Sequence, residues 1–311
     1  MEKINVIAVV GPTASGKTGL AIELAKKLDG EIISFDSMQI YKGMHIASAA
    51  PDEQEKQGIP HHLLEFLEND TNFSVADFVK LAKEKAFEIA KRGKTVIIAG
   101  GTGLYINSFL DNISFGEEEI DFTLREKLNA EYEEVGGEAM LEKLKKFDFD
   151  TAARLHPNNK KRIIRAFEIY ISTGKTMTYQ LEHSKEKESP FVPYMIGLAF
   201  KDREKLYERI GKRVDIMLEA GLLSEAKRMF ESNINSTAAA AIGHKELFPY
   251  FKGEISLEEA VENLKRETRR YAKRQLTWFR RDERINWIYR DEESDILGCA
   301  KQILERNGYF G

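Results

Sequence analysis

The chain has 311 residues, 42% of them hydrophobic and 32% charged, with a net charge of −4. That is a soluble globular composition with length enough for a large buried core, and no run of 18 apolar residues offers a transmembrane helix. The single cysteine, Cys299, excludes intrachain disulfides and cysteine-rich zinc sites and fits a reducing cytoplasm.

Ile4 to Val10 is a continuous apolar run rich in β-branched residues, the pattern of a strand buried on both faces in a parallel sheet. It leads into a glycine loop rather than a small-residue cleavage site, so a signal peptide is not expected. A helix is expected over 16–28, with Leu20, Ala21, Leu24, Ala25 and Leu28 at helical spacing and Gly30 at its end. Residues 31–35 read as a second strand. Ser74 and Asp77 form a capping pair before a helix ended by Gly93, and 95–99 is a third core strand followed by a second glycine turn, 100–103. From 115 to 188 Glu, Lys and Leu dominate and the segment reads as all-helical. Pro190 to Pro193 punctuate its end, 194–200 is a further strand, and the rest reads as mostly helical. The expected fold is α/β: a P-loop NTPase-like, doubly wound parallel sheet, residues 1–115 and 193–311, with an all-helical domain inserted at 116–192.

Gly11-Pro12-Thr13-Ala14-Ser15-Gly16-Lys17-Thr18 fits G-x-x-x-x-G-K-[ST] between a strand and a helix, as that motif requires. Backbone amides and a helix N-terminus there suit phosphate oxygens, Lys17 supplies a charge, and the Thr18 hydroxyl is placed for Mg²⁺. The motif by itself denotes ATP or another di- or triphosphate. The strand 95–99 ends in glycines rather than a magnesium-binding aspartate, and no Asn-Lys-x-Asp guanine motif occurs, so nucleotide hydrolysis is not the natural reading. Asp36 follows the second strand, at the sheet edge where ligands bind, and could serve as magnesium ligand, ribose clamp, general base or helix cap.

Those two segments, with Ser37 to Met44 and Gly100 to Tyr105, resemble the tRNA dimethylallyltransferase (tRNA isopentenyltransferase) family. The resemblance continues in order through 156–166, 173–176, 213–215, 241–246 and 269–280. It implies transfer of a dimethylallyl group from dimethylallyl diphosphate to the exocyclic amine of the adenine 3′ of the anticodon, with release of diphosphate. It implies that Thr13 to Thr18 bind the donor, that Arg213 contacts the diphosphate and that Asp36 is the general base. Asp36, Ser37, Met38 and Gln39, Thr102, Arg125, and Lys161, Arg162, Ile163, Ile164 and Arg165 match segments that touch tRNA. A Mg²⁺-dependent cytoplasmic monomer is expected. The family's zinc-finger extension, found in eukaryotic members, is missing, which points to a bacterial type. Ala47, Ala50, Ala240 and His244 depart from the family pattern, the last two at positions expected near the tRNA.

Residues 265–281 carry eight basic residues and one acid around Tyr271, Trp278 and Phe279, a cationic stripe suited to phosphates or simply a solvated helix face. Arg162 and Arg165 share a helix face. The six histidines show no metal spacing, and His61-His62 is given no role. A prenyltransferase for free AMP or ADP, a P-loop kinase and a non-catalytic RNA binder are the competing readings; the helical insertion and basic stripe favour a macromolecular acceptor.

Overall fold

The computed structural model describes residues 3–71, 73–115, 121–184, 187–232, 238 and 241–310. In chain order the elements are β1 (Ile4–Val10), α1 (Lys17–Lys27), β2 (Gly30–Ser34), α2 (His45–Ser48), α3 (Glu53–Lys56), β3 (His61–His62), α4 (Val75–Lys91), β4 (Thr95–Gly100) and α5 (Gly103–Leu110). Then come α6 (Phe122–Lys145), α7 (Phe149–Arg154), α8 (Lys160–Thr173), α9 (Met177–His183), β5 (Phe191–Ala199), α10 (Arg203–Glu219), α11 (Leu222–Glu231), α12 (Phe248–Phe251), α13 (Leu257–Phe279), β6 (Ile285–Tyr289) and α14 (Ile296–Arg306). No described helix is long and apolar enough to cross a membrane.

The chain forms two compact units, Met1–Leu110 with Ser189–Gly311, and Asp111–Glu188. The first holds a six-stranded sheet ordered β3-β2-β4-β1-β5-β6, every pairing parallel. Val6 to Val10 are all inaccessible to solvent, because successive side chains meet opposite layers. Ile7 and Val9 join Leu20, Leu24, Ala300 and Leu304 of α1 and α14 in one layer. A ring contact series, Phe78 to Phe35 to Phe109 to Phe191, packs α4 and α5 against the sheet. The second unit is helical, with Leu128, Met140, Leu144, Ile163 and Phe167 in its core and α6 broken at Gly136.

Three local expectations are corrected. The left-handed residue ending α1 is Asp29, at φ 49°. Gly30 lies in β2 instead, where an added Cβ would come 2.9 Å from Ile97 Cδ1 and 3.0 Å from the Thr95 carbonyl. Pro193 does not punctuate a loop; it pairs with Val6 inside β5. The strand tolerates it because β6 begins pairing only at Met195, leaving that stretch of β5 an edge. β6 itself, and the two-residue β3, lie where no strand is expected. His61 and His62 form β3, with the His62 ring 2.6 Å from Glu31, which also receives Arg92 at 2.6 Å.

Candidate active site

The carboxyl ends of β1, β2 and β4 open onto a cavity of about 360 Å³, as the switch-point rule for open parallel sheets expects. Thr13, Lys17, Thr18, Asp36 and Arg213 all line it. The loop turns into α1 at Gly16, whose φ of 89° suits glycine. No side chain caps that helix, so its first amides stay open to an anion. Two arginines hold the loop from behind. Arg209 Nε donates to the Ala14 carbonyl at 3.0 Å, and Arg290 Nη1 to the Ser15 carbonyl at 3.0 Å. Pro12, Ala14 and Ser15 do not line the cavity; the Ser15 hydroxyl is buried without a partner.

Lys17 is half-buried and donates to the Pro12 carbonyl at 2.7 Å. Burial, then repulsion from Arg213, lowers its pKa to about 7, against the opposing pull of Asp36. Burial likewise lowers the pKa of Arg213, with Asp36 acting the other way. Two desolvated cations thus face one carboxylate, leaving a net positive cavity matched to a multiply charged anion. One oxygen of Asp36 accepts the Met38 amide at 2.9 Å, an Asx turn that fixes the carboxylate's direction. Ser37 donates its amide to the Thr102 hydroxyl at 3.1 Å, so the second glycine turn braces the Asp36 loop. Gln39 accepts from Ser34 and donates to the carbonyls of Ser48 and Ala49, while Ser37, Met38 and Gln39 all line the cavity.

Several lining residues carry no assignment in the sequence reading. Tyr271, Arg274 and Gln275 of α13 line the cavity beside Thr268, so part of the basic stripe faces inward. Burial and then the charge of Asp36 push the Tyr271 phenol's pKa up. Gln275 accepts the Thr13 amide at 2.8 Å and donates to the Gly101 carbonyl at 3.0 Å. Val214, Met217 and Leu264 supply an apolar wall. The sequence signal for these residues is that Val214, and Tyr271 to Gln275, fall within motifs carrying the resemblance.

Elsewhere, Glu225 accepts the amides of Ile46 and Ala47, each at 2.9 Å, and meets the His244 ring at 2.9 Å. His244 is fully buried, so it is not a surface contact for RNA; Ala240 lies outside the described residues. In the helical unit Arg125 is bound to Glu168 at 2.5 and 2.9 Å, and Arg165 approaches the same carboxylate at 3.5 Å. Ile163 and Ile164 are core residues, leaving Lys161 and Arg162 as the exposed residues of that segment.

Residues 39–282 match the IPP transferase family. A tRNA dimethylallyltransferase of Acetivibrio thermocellus is 51% identical over 98% of this chain and 99% of its own length, and that of Bacillus subtilis is 50% identical over 97% and 96%. The crystal structure of a full-length tRNA isopentenylpyrophosphate transferase from Bacillus halodurans superposes with a TM-score of 0.71, at 42% identity over 99% of this chain and 96% of that one. A eukaryotic dimethylallyltransferase acting on tRNA superposes at 0.82, with 30% identity over 99% of this chain and 79% of that one. With its parallel sheet, its glycine loop and a match spanning most of its length, the chain belongs to the IPP transferase family, that of the tRNA dimethylallyltransferases.

Proposed function

We propose that this protein transfers the dimethylallyl group of dimethylallyl diphosphate to the exocyclic amine of the adenine 3′ of the anticodon in tRNA. The observation that carries the reading is the convergence of Lys17, Thr18, Arg213 and Asp36 on one cavity, within a chain whose relatives are named tRNA dimethylallyltransferases.

Lys17, Arg213 and the uncapped amides at the start of α1 receive the diphosphate. As the allylic C–O bond breaks, its electron pair stays on the diphosphate, and these groups stabilise the charge developing there. The adenine nitrogen forms the new C–N bond, and its proton passes to Asp36 Oδ, whose direction the Met38 amide sets. Val214, Met217 and Leu264 offer the prenyl carbons an apolar surface. The adenine must leave its loop stack to reach the cavity, at a cost of a few kcal/mol.

Among the described residues lining the cavity Asp36 is the one carboxylate and Thr18 one of several hydroxyls, and the described residues hold no cluster of three metal-binding side chains. Magnesium keeps several waters and favours substrate phosphates over all-protein cages, so this sparse donor set fits an ion carried by the diphosphate. Thr18 would hold it, and it would neutralise leaving-group charge. Lys161, Arg162 and the outward basic residues of α13 suit the tRNA backbone. The protein is expected to act as a cytoplasmic monomer.

Mass analysis of tRNA incubated with the protein, Mg²⁺ and dimethylallyl diphosphate tests the reading. A gain of one C5H8 unit on that adenine is expected; unmodified tRNA would reject it. Transfer to free AMP alone would favour the small-acceptor alternative.

A further inference from the structure

Gln275 stands between two loops that carry different halves of the proposed chemistry. It is 5% exposed. Its carbonyl oxygen accepts the amide of Thr13 in the glycine loop, and its amide nitrogen donates to the carbonyl of Gly101 in the second glycine turn. That turn continues directly: the hydroxyl of Thr102 accepts the amide of Ser37, next to Asp36, and the Thr102 amide donates to the Phe35 carbonyl at 3.2 Å. One hydrogen-bonded path therefore runs from the donor-holding loop through Gln275, Gly101 and Thr102 to the base-bearing loop. The packing leaves it no slack, since a Cβ on Gly101 would come 2.1 Å from Gln275 Nε2. A primary amide accepts at one end and donates at the other without carrying a charge.

We infer that Gln275 is a positioning residue that sets the distance between the donor's leaving group and the base, Asp36. It acts through the Thr13 amide on one side and the Thr102 turn on the other. The inference rests on the transfer reading above. Losing either bond lets the two loops drift, and misplacement on the scale of 1 Å costs about a hundredfold in rate without a comparable loss of binding.

The test compares Gln275→Met and Gln275→Glu with the parent protein, using dimethylallyl diphosphate and an anticodon stem-loop. Gln275→Met keeps the bulk and removes both bonds. Its single-turnover rate at saturating substrates should fall about tenfold to hundredfold, while the stem-loop Kd stays unchanged. Gln275→Glu keeps the acceptor but donates to Gly101 only when its carboxyl is protonated, so its rate relative to the parent should rise as pH falls. Circular dichroism melts measure folding. Loss of melting temperature with an unchanged single-turnover rate for the folded fraction would overturn the inference, as would a flat relative pH profile for Gln275→Glu. Should Gln275→Met fail to fold, the Gln275→Glu series decides alone. If the parent itself does not prenylate the stem-loop, the transfer reading falls; if the parent is active and Gln275→Met matches it, only the positioning role falls.

Discussion

Lys17 donates to the carbonyl of Pro12 at 2.7 Å, so the loop's ammonium is folded back onto its own backbone and has to be released to meet an anion. Its pKa of about 7 leaves it partly deprotonated near neutrality. An arriving diphosphate raises the pKa again, so binding takes up a proton above pH 7. Affinity should be full below pH 7 and fall by up to tenfold per unit as pH rises beyond it. The unfolded chain keeps this proton to about 10.5 whereas the folded site gives it up near 7. The folded state therefore gains stability from this group as pH rises through that window. Calorimetry in buffers of different ionisation enthalpy measures the uptake, and Lys17→Met should abolish the difference, leaving only the ligand's own titration.

Asp36→Asn keeps an oxygen for the Met38 amide and removes the proton acceptor. The single-turnover rate should fall by about 10²–10⁴-fold, with diphosphate and tRNA affinities nearly intact. A large loss of binding with a normal rate would mean that Asp36 holds substrate rather than accepting the proton.

Arg125 is committed to Glu168, whose carboxylate is only 6% exposed. Arg125→Ala should lower the stability of the helical unit by about 1–2 kcal/mol, moderated because the arginine itself is partly solvated. The apparent KM for tRNA should barely change once folded protein alone is counted. A large KM effect without a stability change would return Arg125 to the RNA-contacting set.

Glu225→Ala removes one carboxylate from two backbone amides and a buried histidine, and should destabilise the protein by about 3 kcal/mol. Because Ala47 and Gly243 both line the cavity, the KM for dimethylallyl diphosphate should rise as well. Urea unfolding and steady-state kinetics together check both effects.

What could be read from the sequence was local. β1 announces itself by a run of β-branched residues, α4 by a capping box that forms between Ser74 and Asp77, and the glycine loop by spacing that needs no distant partner. What could not be read depends on residues far apart in the chain. Pro193 is acceptable in a strand only because its neighbour starts two residues later. Gly30 is required by Ile97 and Thr95, not by the helix before it. Arg125 and Arg165 read in the sequence as matches to RNA-touching segments; that both also reach the buried Glu168, in the middle of an amphipathic helix, could not be read there. Gln275 lies in a basic stripe and in a motif that carries the resemblance, but its bridging contacts could not be read there, since its partners stand 262 and 174 residues away.

The two arginine props and Gln275 also bear on how the protein comes into being. The loop at 11–18 leaves the ribosome well before Arg290, on which it leans and which lies 275 residues later than Ser15. Synthesis runs N-terminus first at about 5–20 residues per second. A nascent chain would therefore carry an unfinished anion trap for many seconds, with the central sheet still lacking β6 at its border. The catalytic cradle should be among the last features to mature, so that incomplete chains abandoned on the ribosome would not sequester the prenyl donor.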